Sequence, residues 1–243
     1  MFTFGQTVDP FTQITDDNFA NYDAVTHGDY IVYRHSNIAN DNGIFLYQIS
    51  TGDLTTITSG TQVQYYQIDM WGDRVVWAQV VDGEWDIYTY LISRPDLGAY
   101  ALIDFDDNQY HPAIYENILV WQDERGGDFC QNIYMYDIET GIVTQVTTDD
   151  ELQQFDPDVY GNYIVWTDNR NGNNDIYMYD IYHQETIQVT DDEHSQRNPS
   201  IWKKRIVWED NRLGNWDLYM HVIGFYPDTD PVRANHPVFT GTD

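Results

Sequence analysis

One position in five repeated stretches of this chain carries side chains able to hold a polar ligand: Asp23, Gln67, His111, Asp156 and Asn198. The residues just before them are Tyr22, Tyr66, Tyr110, Phe155 and Arg197, preceded in turn by Asn21, Tyr65, Gln109, Gln154 and Gln196. Flat rings beside amides and carboxylates suit a sugar or a protein side chain, which stacks on a ring and takes hydrogen bonds at its edge. The competing reading is that the rings pack between neighbouring units. Asp23, Asp69, Asp156 and Asp158, with His111 nearby, hold the ingredients of a glycosidase acid and base pair. These acids sit at repeat-equivalent places, however, and the chain carries no Gly-x-Ser-x-Gly elbow, phosphate loop or zinc-ligand cluster. A binding role is favoured over an enzyme.

Two other sets of aspartates have their own chemistry. Asp16-Asp17, Asp106-Asp107, Asp149-Asp150 and Asp191-Asp192 are adjacent carboxylates that repel unless something neutralises them. The last three pairs (Asp106, Asp107, Asp149, Asp150, Asp191 and Asp192) are candidate ligands for Ca²⁺, although no spacing matches an EF-hand loop. Asp123, Asp168 and Asp210 each stand two residues before an arginine, with Asp175 or Asp217 following in the last two units. That spacing suits a carboxylate–guanidinium clamp across a hairpin, which is a structural role.

These residues are placed by a repeat of forty-odd positions. Asp175-Ile176-Tyr177-Met178-Tyr179-Asp180-Ile181 returns as Asn132-Ile133-Tyr134-Met135-Tyr136-Asp137-Ile138 and as Asp217-Leu218-Tyr219-Met220. Asp86-Ile87-Tyr88-Thr89-Tyr90 and Gly43-Ile44-Phe45-Leu46-Tyr47 are weaker copies. Strand patterning alone inside each unit predicts propeller blades. Each unit reads as four strands, the second centred on Tyr33, Trp77, Trp121, Trp166 or Trp208, which apolar neighbours mark as core. A fourth-strand marker steps from Ile14 to Ile57, Ile103, Val146 and Val189 at intervals of 43, 46, 43 and 43 residues.

The expected fold is therefore all-β: a five-bladed β-propeller with four antiparallel strands per blade. The blades span about residues 20–58, 64–103, 109–147, 154–190 and 196–224. The last unit lacks a fourth strand and residues 11–15 form an orphan one, so the amino-terminal strand should complete the last blade. Residues 1–224 make the propeller domain and 225–243 a carboxy-terminal extension. Asn235-His236-Pro237-Val238 resembles the opening of another first strand, which makes six blades the rival count. Antiparallel order puts the second-to-third loops and the interblade loops on one face, which collects the aspartates.

Asp168-Asn169-Arg170-Asn171-Gly172-Asn173-Asn174-Asp175-Ile176-Tyr177 and Asp210-Asn211-Arg212-Leu213-Gly214-Asn215-Trp216-Asp217-Leu218-Tyr219 resemble the TolB-like β-propeller repeat. Asp123-Glu124-Arg125-Gly126-Gly127 matches with an insertion, whereas Arg34-His35-Ser36 and Gln79-Val80-Val81 depart from it. The resemblance covers nearly all of residues 11–224. It implies a scaffold or protein-docking role in many relatives and enzymes in others.

Composition narrows the partners. Forty Asp plus Glu against 11 Lys plus Arg give a formal charge of −29 in 243 residues. Such a field repels nucleic acid and anionic lipid and favours cations or basic proteins. No apolar run is long enough to span a membrane. Met1-Phe2-Thr3-Phe4-Gly5 shows no signal peptide, and the single Cys130 excludes an internal disulfide. The acidity, the scarcity of lysine and the resemblance together suggest an extracellular or cell-surface setting. Phe2-Thr3-Phe4 and Pro237-Val238-Phe239 could each lend a strand to a neighbouring copy, giving self-assembly.

Overall fold

The computed structural model describes residues 12–16, 20–36, 41–61, 64–125, 130–148 and 152–224. Among them are five antiparallel sheets in chain order. The first holds β1 (Ala20–His27), β2 (Tyr30–Ser36), β3 (Asp41–Gln48) and β4 (Leu54–Thr61). The second holds β5 (Tyr65–Trp71), β6 (Arg74–Val81), β7 (Glu84–Leu91) and β8 (Tyr100–Ile103). The third holds β9 (Gln109–Tyr115), β10 (Ile118–Asp123), β11 (Asn132–Asp137) and β12 (Ile142–Gln145). The fourth holds β13 (Gln154–Tyr160), β14 (Tyr163–Asp168), β15 (Asp175–Asp180) and β16 (Glu185–Gln188). The fifth stops at three: β17 (Gln196–Trp202), β18 (Arg205–Asp210) and β19 (Asp217–Val222).

Strands within a sheet pair in sequence order, as short hairpins require. The first strand of each sheet lies against the first strand of the next, through β1, β5, β9, β13 and β17. Apolar residues fill the gaps between sheets. Val165, Ile176 and Met178 on the front of the fourth sheet pack against Ile201, Ile206 and Trp208 on the rear of the fifth. Trp77, Trp121 and Trp166 are fully buried, as their apolar strands imply.

Each of the last three hairpins is locked by the same polar unit. The fully buried Asp168 accepts from Trp166 Nε1 at 2.9 Å and from the Arg170 amide and Nε, both at 2.9 Å. Asp123 and Asp210 repeat these bonds with Trp121 and Arg125 and with Trp208 and Arg212. Each guanidinium lies over the ring of Tyr134, Tyr177 or Tyr219 at 4.1, 4.4 and 4.4 Å, so its charge meets both a carboxylate and a π face. The clamp closes inside the Asp-x-Arg step itself. Asp175 takes no part and instead accepts from Asn171, Gln188 and Thr190. In the second sheet, Gln79 Oε1 replaces the carboxylate as acceptor for Trp77 Nε1, at 3.1 Å.

Among the described residues the expected closing strand is not seen. Thr12–Asp16 carry no strand, and Phe11 lies outside the described residues. Fourth strands as short as this form in the second, third and fourth sheets, where a local connection brings them to the third strand; residues 12–15 would instead have to close a loop of nearly the whole chain, at a larger entropic cost. Among the described residues the outer edge of β19 is consequently unpaired.

Asp168→Ala strands a buried indole N–H and a guanidinium, so urea unfolding should show a loss of about 3 kcal/mol. Asp96→Ala, which breaks an exposed pair with Arg94, should leave the midpoint unchanged.

Candidate functional site

The five first strands share a backbone irregularity that builds the site. Asp23, Gln67, His111, Asp156 and Asn198 have φ of 55°, 45°, 50°, 53° and 51°. Each lies at a register shift between the first and second strands of its sheet. Left-handed backbone costs a non-glycine residue about 1 kcal/mol or more, least for Asn, Asp and His. His111, Asp156 and Asn198 also precede prolines, which further restrict the backbone. Five such residues at one repeat position make a bulge that re-aims a side chain.

Four of the re-aimed side chains converge. Gln67, His111, Asp156 and Asn198 line a cavity of about 320 Å³, together with Pro112, Pro157, Asp158 and Pro199. The Gln67 amide nitrogen reaches both ring nitrogens of His111, at 2.5 and 2.9 Å, while its Oε1 accepts from the His111 backbone amide at 3.0 Å. His111 Nδ1 in turn meets Asp156 Oδ1 at 2.8 Å. Amide, imidazole and carboxylate thus form one chain across three sheets. Asp23 belongs to the same row but is held by Arg34 at 2.9 Å and does not line the cavity.

Two carboxylates stitch neighbouring first strands together. Asp69 accepts from the Met70 amide at 2.8 Å and from the Ile114 amide of the next sheet at 2.7 Å. Asp158 does the same with Val159, Ile201 and the Ser200 hydroxyl, at 2.8, 2.8 and 2.9 Å. Burial outweighs these bonds and pushes the Asp69 carboxyl up to about 7, with the charge of Asp158 adding to the shift. Asp158 is raised for the same principal reason.

The ring row expected beside the mouth is elsewhere. Tyr22 lies under Arg34 at 4.6 Å, and Tyr110 packs on Trp85 and donates to Glu124 at 3.2 Å. Arg197 pairs with Glu209 at 2.9 Å and covers Trp216 at 3.9 Å. Phe155 sits opposite Thr167 in the ladder, partly buried. The Tyr66 side chain is outside the described part of the molecule. Tyr22, Tyr110, Phe155 and Arg197 do not line the cavity.

The opposite end of the first strands carries residues that sequence reading passed over. The last residue of each is His27, Trp71, Tyr115, Tyr160 or Trp202. Their rings form a continuous belt, with centroids 4.5 Å apart for His27–Trp71, 4.3 Å for Trp71–Tyr115, 4.3 Å for Tyr115–Tyr160 and 4.7 Å for Tyr160–Trp202. The signal was a ring or imidazole four residues after each mouth residue.

Of the paired aspartates, Asp192 is engaged through its carboxylate and Asp106 and Asp107 through their backbone. The Asp192 carboxylate accepts from the His194 amide and Nδ1, at 3.0 and 2.8 Å, and faces Arg212 at 3.9 Å. The backbone carbonyls of Asp106 and Asp107 accept from Gln109, and Asp191 adds to the field that raises Asp175. Asp149 and Asp150 lie outside the described residues. Among the described residues, no three His, Cys, Asp or Glu side chains are grouped to hold a metal ion.

The raised carboxyl of Asp69 gives a pH signature. Unfolded, it loses its proton near pH 4; folded, near 7, so its contribution is whole below pH 4 and is lost as pH rises to 7. Asp86, raised to about 6 by burial and by Asp104 and Glu84, slopes the same way. Chemical denaturation at pH 5 and pH 7.5 should show wild type weaker at the higher pH. Asp69→Asn should remove part of that difference; an unchanged slope would refute the assignment.

No protein-family model matches the chain, and no curated protein matches it by sequence. Solved structures do match by shape. A protein assigned as TolB from Agrobacterium tumefaciens aligns with a TM-score of 0.63 at 15% identity, over 86% of this chain and 79% of that one. TolB from Acinetobacter baumannii aligns with a TM-score of 0.51 at 18% identity, over 75% of this chain and 48% of that one. The β-propeller domain of the Trilobed protease from Pyrococcus furiosus, described as having an open velcro topology, gives 0.61 at 10% identity, over 81% of this chain and 64% of that one. At such identities the likeness speaks for architecture alone. The fold of this chain is that of a TolB-like β-propeller.

Proposed function

We propose that this chain is a non-enzymatic interaction module that receives a basic segment of a protein partner at its polar mouth. Its five sheets are read as five blades of one propeller over residues 1–224, with residues 225–243 as an extension. The observation that carries the reading is the cavity of about 320 Å³ built by one repeat position of four successive sheets. Repetition of a left-handed backbone at one position of every sheet favours a binding role. Among the described residues Asp156 meets His111, and neither Asp156 nor Asp158 pairs with lysine or arginine. The Asp156 carboxylate at the mouth thus lies within a field of −29, which steers a basic partner toward it. The acidity also supports an extracellular or cell-surface setting.

Isothermal titration with arginine-rich, acidic and uncharged peptides tests this directly. The basic peptide should bind, and His111→Ala with Asp156→Asn should weaken it about tenfold or more. Equal binding of all three peptides, or no effect of the substitutions, would overturn the proposal.

A second reading rests on a different observation: two carboxyls, Asp156 and Asp158, line the same cavity, and burial raises that of Asp158. Glycoside cleavage uses such a pair, one of the two kept protonated by burial. Incubation with a panel of plant and microbial glycans would then release sugars, and Asp156→Ala and Asp158→Ala would abolish the release. Intact glycans after long incubation would retire this reading.

A further inference from the structure

The turn between β17 and β18 breaks the charge pattern of the whole molecule. Residues 196–224 hold five of the chain's 11 Lys and Arg, against three acids. Three of the five are consecutive, Lys203, Lys204 and Arg205, and the first two are the only lysines in the sequence. All three are exposed, as is the Trp202 before them, at 55%. Every described arginine but Arg74 and Arg205 pairs with a carboxylate. Among the described residues neither Lys203, Lys204 nor Arg205 does so.

The other four sheets show what this turn needs for its own shape. Its first residue is left-handed in all five, with φ of 58°, 56°, 52°, 59° and 56° at Gly28, Gly72, Glu116, Gly161 and Lys203. Glycine adopts that backbone freely, whereas a lysine resists it. The carbonyl of the second residue accepts from the chain beyond the third strand. Lys204 does this with the Ile223 amide at 2.7 Å, as Asp29 does with Ile49 at 2.8 Å and Asp73 with Ile92 at 2.9 Å. In the first two sheets the side chain helps as well: Asp29 accepts from the Ser50 amide at 2.9 Å and Asp73 from that of Ser93 at 2.7 Å. Lys204 can make no such bond, because an ammonium only donates. The fifth sheet has given up a glycine and an acceptor for two solvent-exposed cations. Folding gains nothing from that exchange.

We infer that the β17–β18 turn docks at the acidic mouth of a second copy of this chain, head to tail. Unpaired cations beside an exposed ring fit an anionic protein surface, and the chain itself supplies one. Asp156 lines the cavity, and Asp106, Asp107 and Asp191 are exposed on the loops that lead into β9 and β17. The turn cannot reach its own mouth: Asn198 and Lys203 stand at opposite ends of β17, about 15 Å apart at the rise of a strand. A nucleic acid would satisfy the turn and leave the mouth unfilled, whereas a second copy satisfies both. Two copies of −29 repel at long range. At physiological salt, however, exposed charges more than about 8 Å apart are largely screened, so the local match decides. Because two different surfaces meet, the contact repeats from copy to copy. This inference rests on the mouth reading, since it names the basic segment that the mouth receives.

Sedimentation velocity over a concentration series, at about 50 mM and about 500 mM salt, tests it. The chain should associate at the lower salt and be monomeric at the higher. Lys203→Gly with Lys204→Asp gives this turn the residues of the first and second sheets' turns. It should keep the thermal melt and weaken association about tenfold or more. Asp156→Asn should weaken association from the other side. The two variants mixed should form dimers and nothing larger, because each retains one half of the contact. A monomer at low salt, association that persists at high salt or survives either change, or a mixture without dimers would overturn the inference. An arginine-rich peptide separates the two readings. Peptide bound at the mouth of a chain that stays monomeric would end this inference and leave the mouth reading standing. A monomeric chain that binds no peptide would end both.

Discussion

Among the described residues, neighbouring sheets share no hydrogen-bonded ladder beyond an isolated bridge at Gln131 and Gln153, so each must bury an apolar front against the apolar rear of the next. That single requirement governs the rest. A face can be buried reproducibly only if its hairpin has a fixed shape, and the Trp–Asp–Arg–Tyr unit supplies the shape. Asp123, Asp168 and Asp210 have no exposure and would be costly if unpaired. The polar groups are therefore internal fasteners, and the energy of association lies in the side chains between sheets.

The same requirement explains where binding chemistry can sit. The faces are committed to packing and the hairpin aspartates to locking, which leaves the starts of the first strands. There the ladder is broken at the left-handed residues, and side chains are turned out of the sheet into shared space. Asp69 and Asp158 hold the adjoining strands at fixed separation by accepting amides from the next sheet. A chain of contacts from Gln67 through His111 to Asp156 is thus pre-set by backbone rather than by a ligand.

Much of this was legible in the residues, and the failures have physical causes. The repeat, the buried tryptophans and the Asp-x-Arg clamp could be read because strand periodicity and fixed offsets encode them. The mouth residues could be located by register alone. Their ring neighbours could not be assigned with them: successive strand residues point to opposite faces, so Tyr110 or Arg197 cannot share the orientation of His111 or Asn198. The bulge that fixes which of the two turns inward has no sequence mark beyond residues tolerant of positive φ. The closing strand was legible as a pattern, yet a pattern does not say when a short segment is worth ordering. The ring at the end of each first strand changes type from His to Trp to Tyr, so no repeated residue marks it, and contact between rings of adjacent sheets follows only from the fold.

The aromatic belt from His27 to Trp202 has its own consequence. Rings in contact at the far end, with Trp71 and Tyr160 only 6.3 Å apart, brace the first strands there by ring against ring rather than by backbone bonds. Shrinking one ring would therefore be felt by its neighbours on both sides of the row.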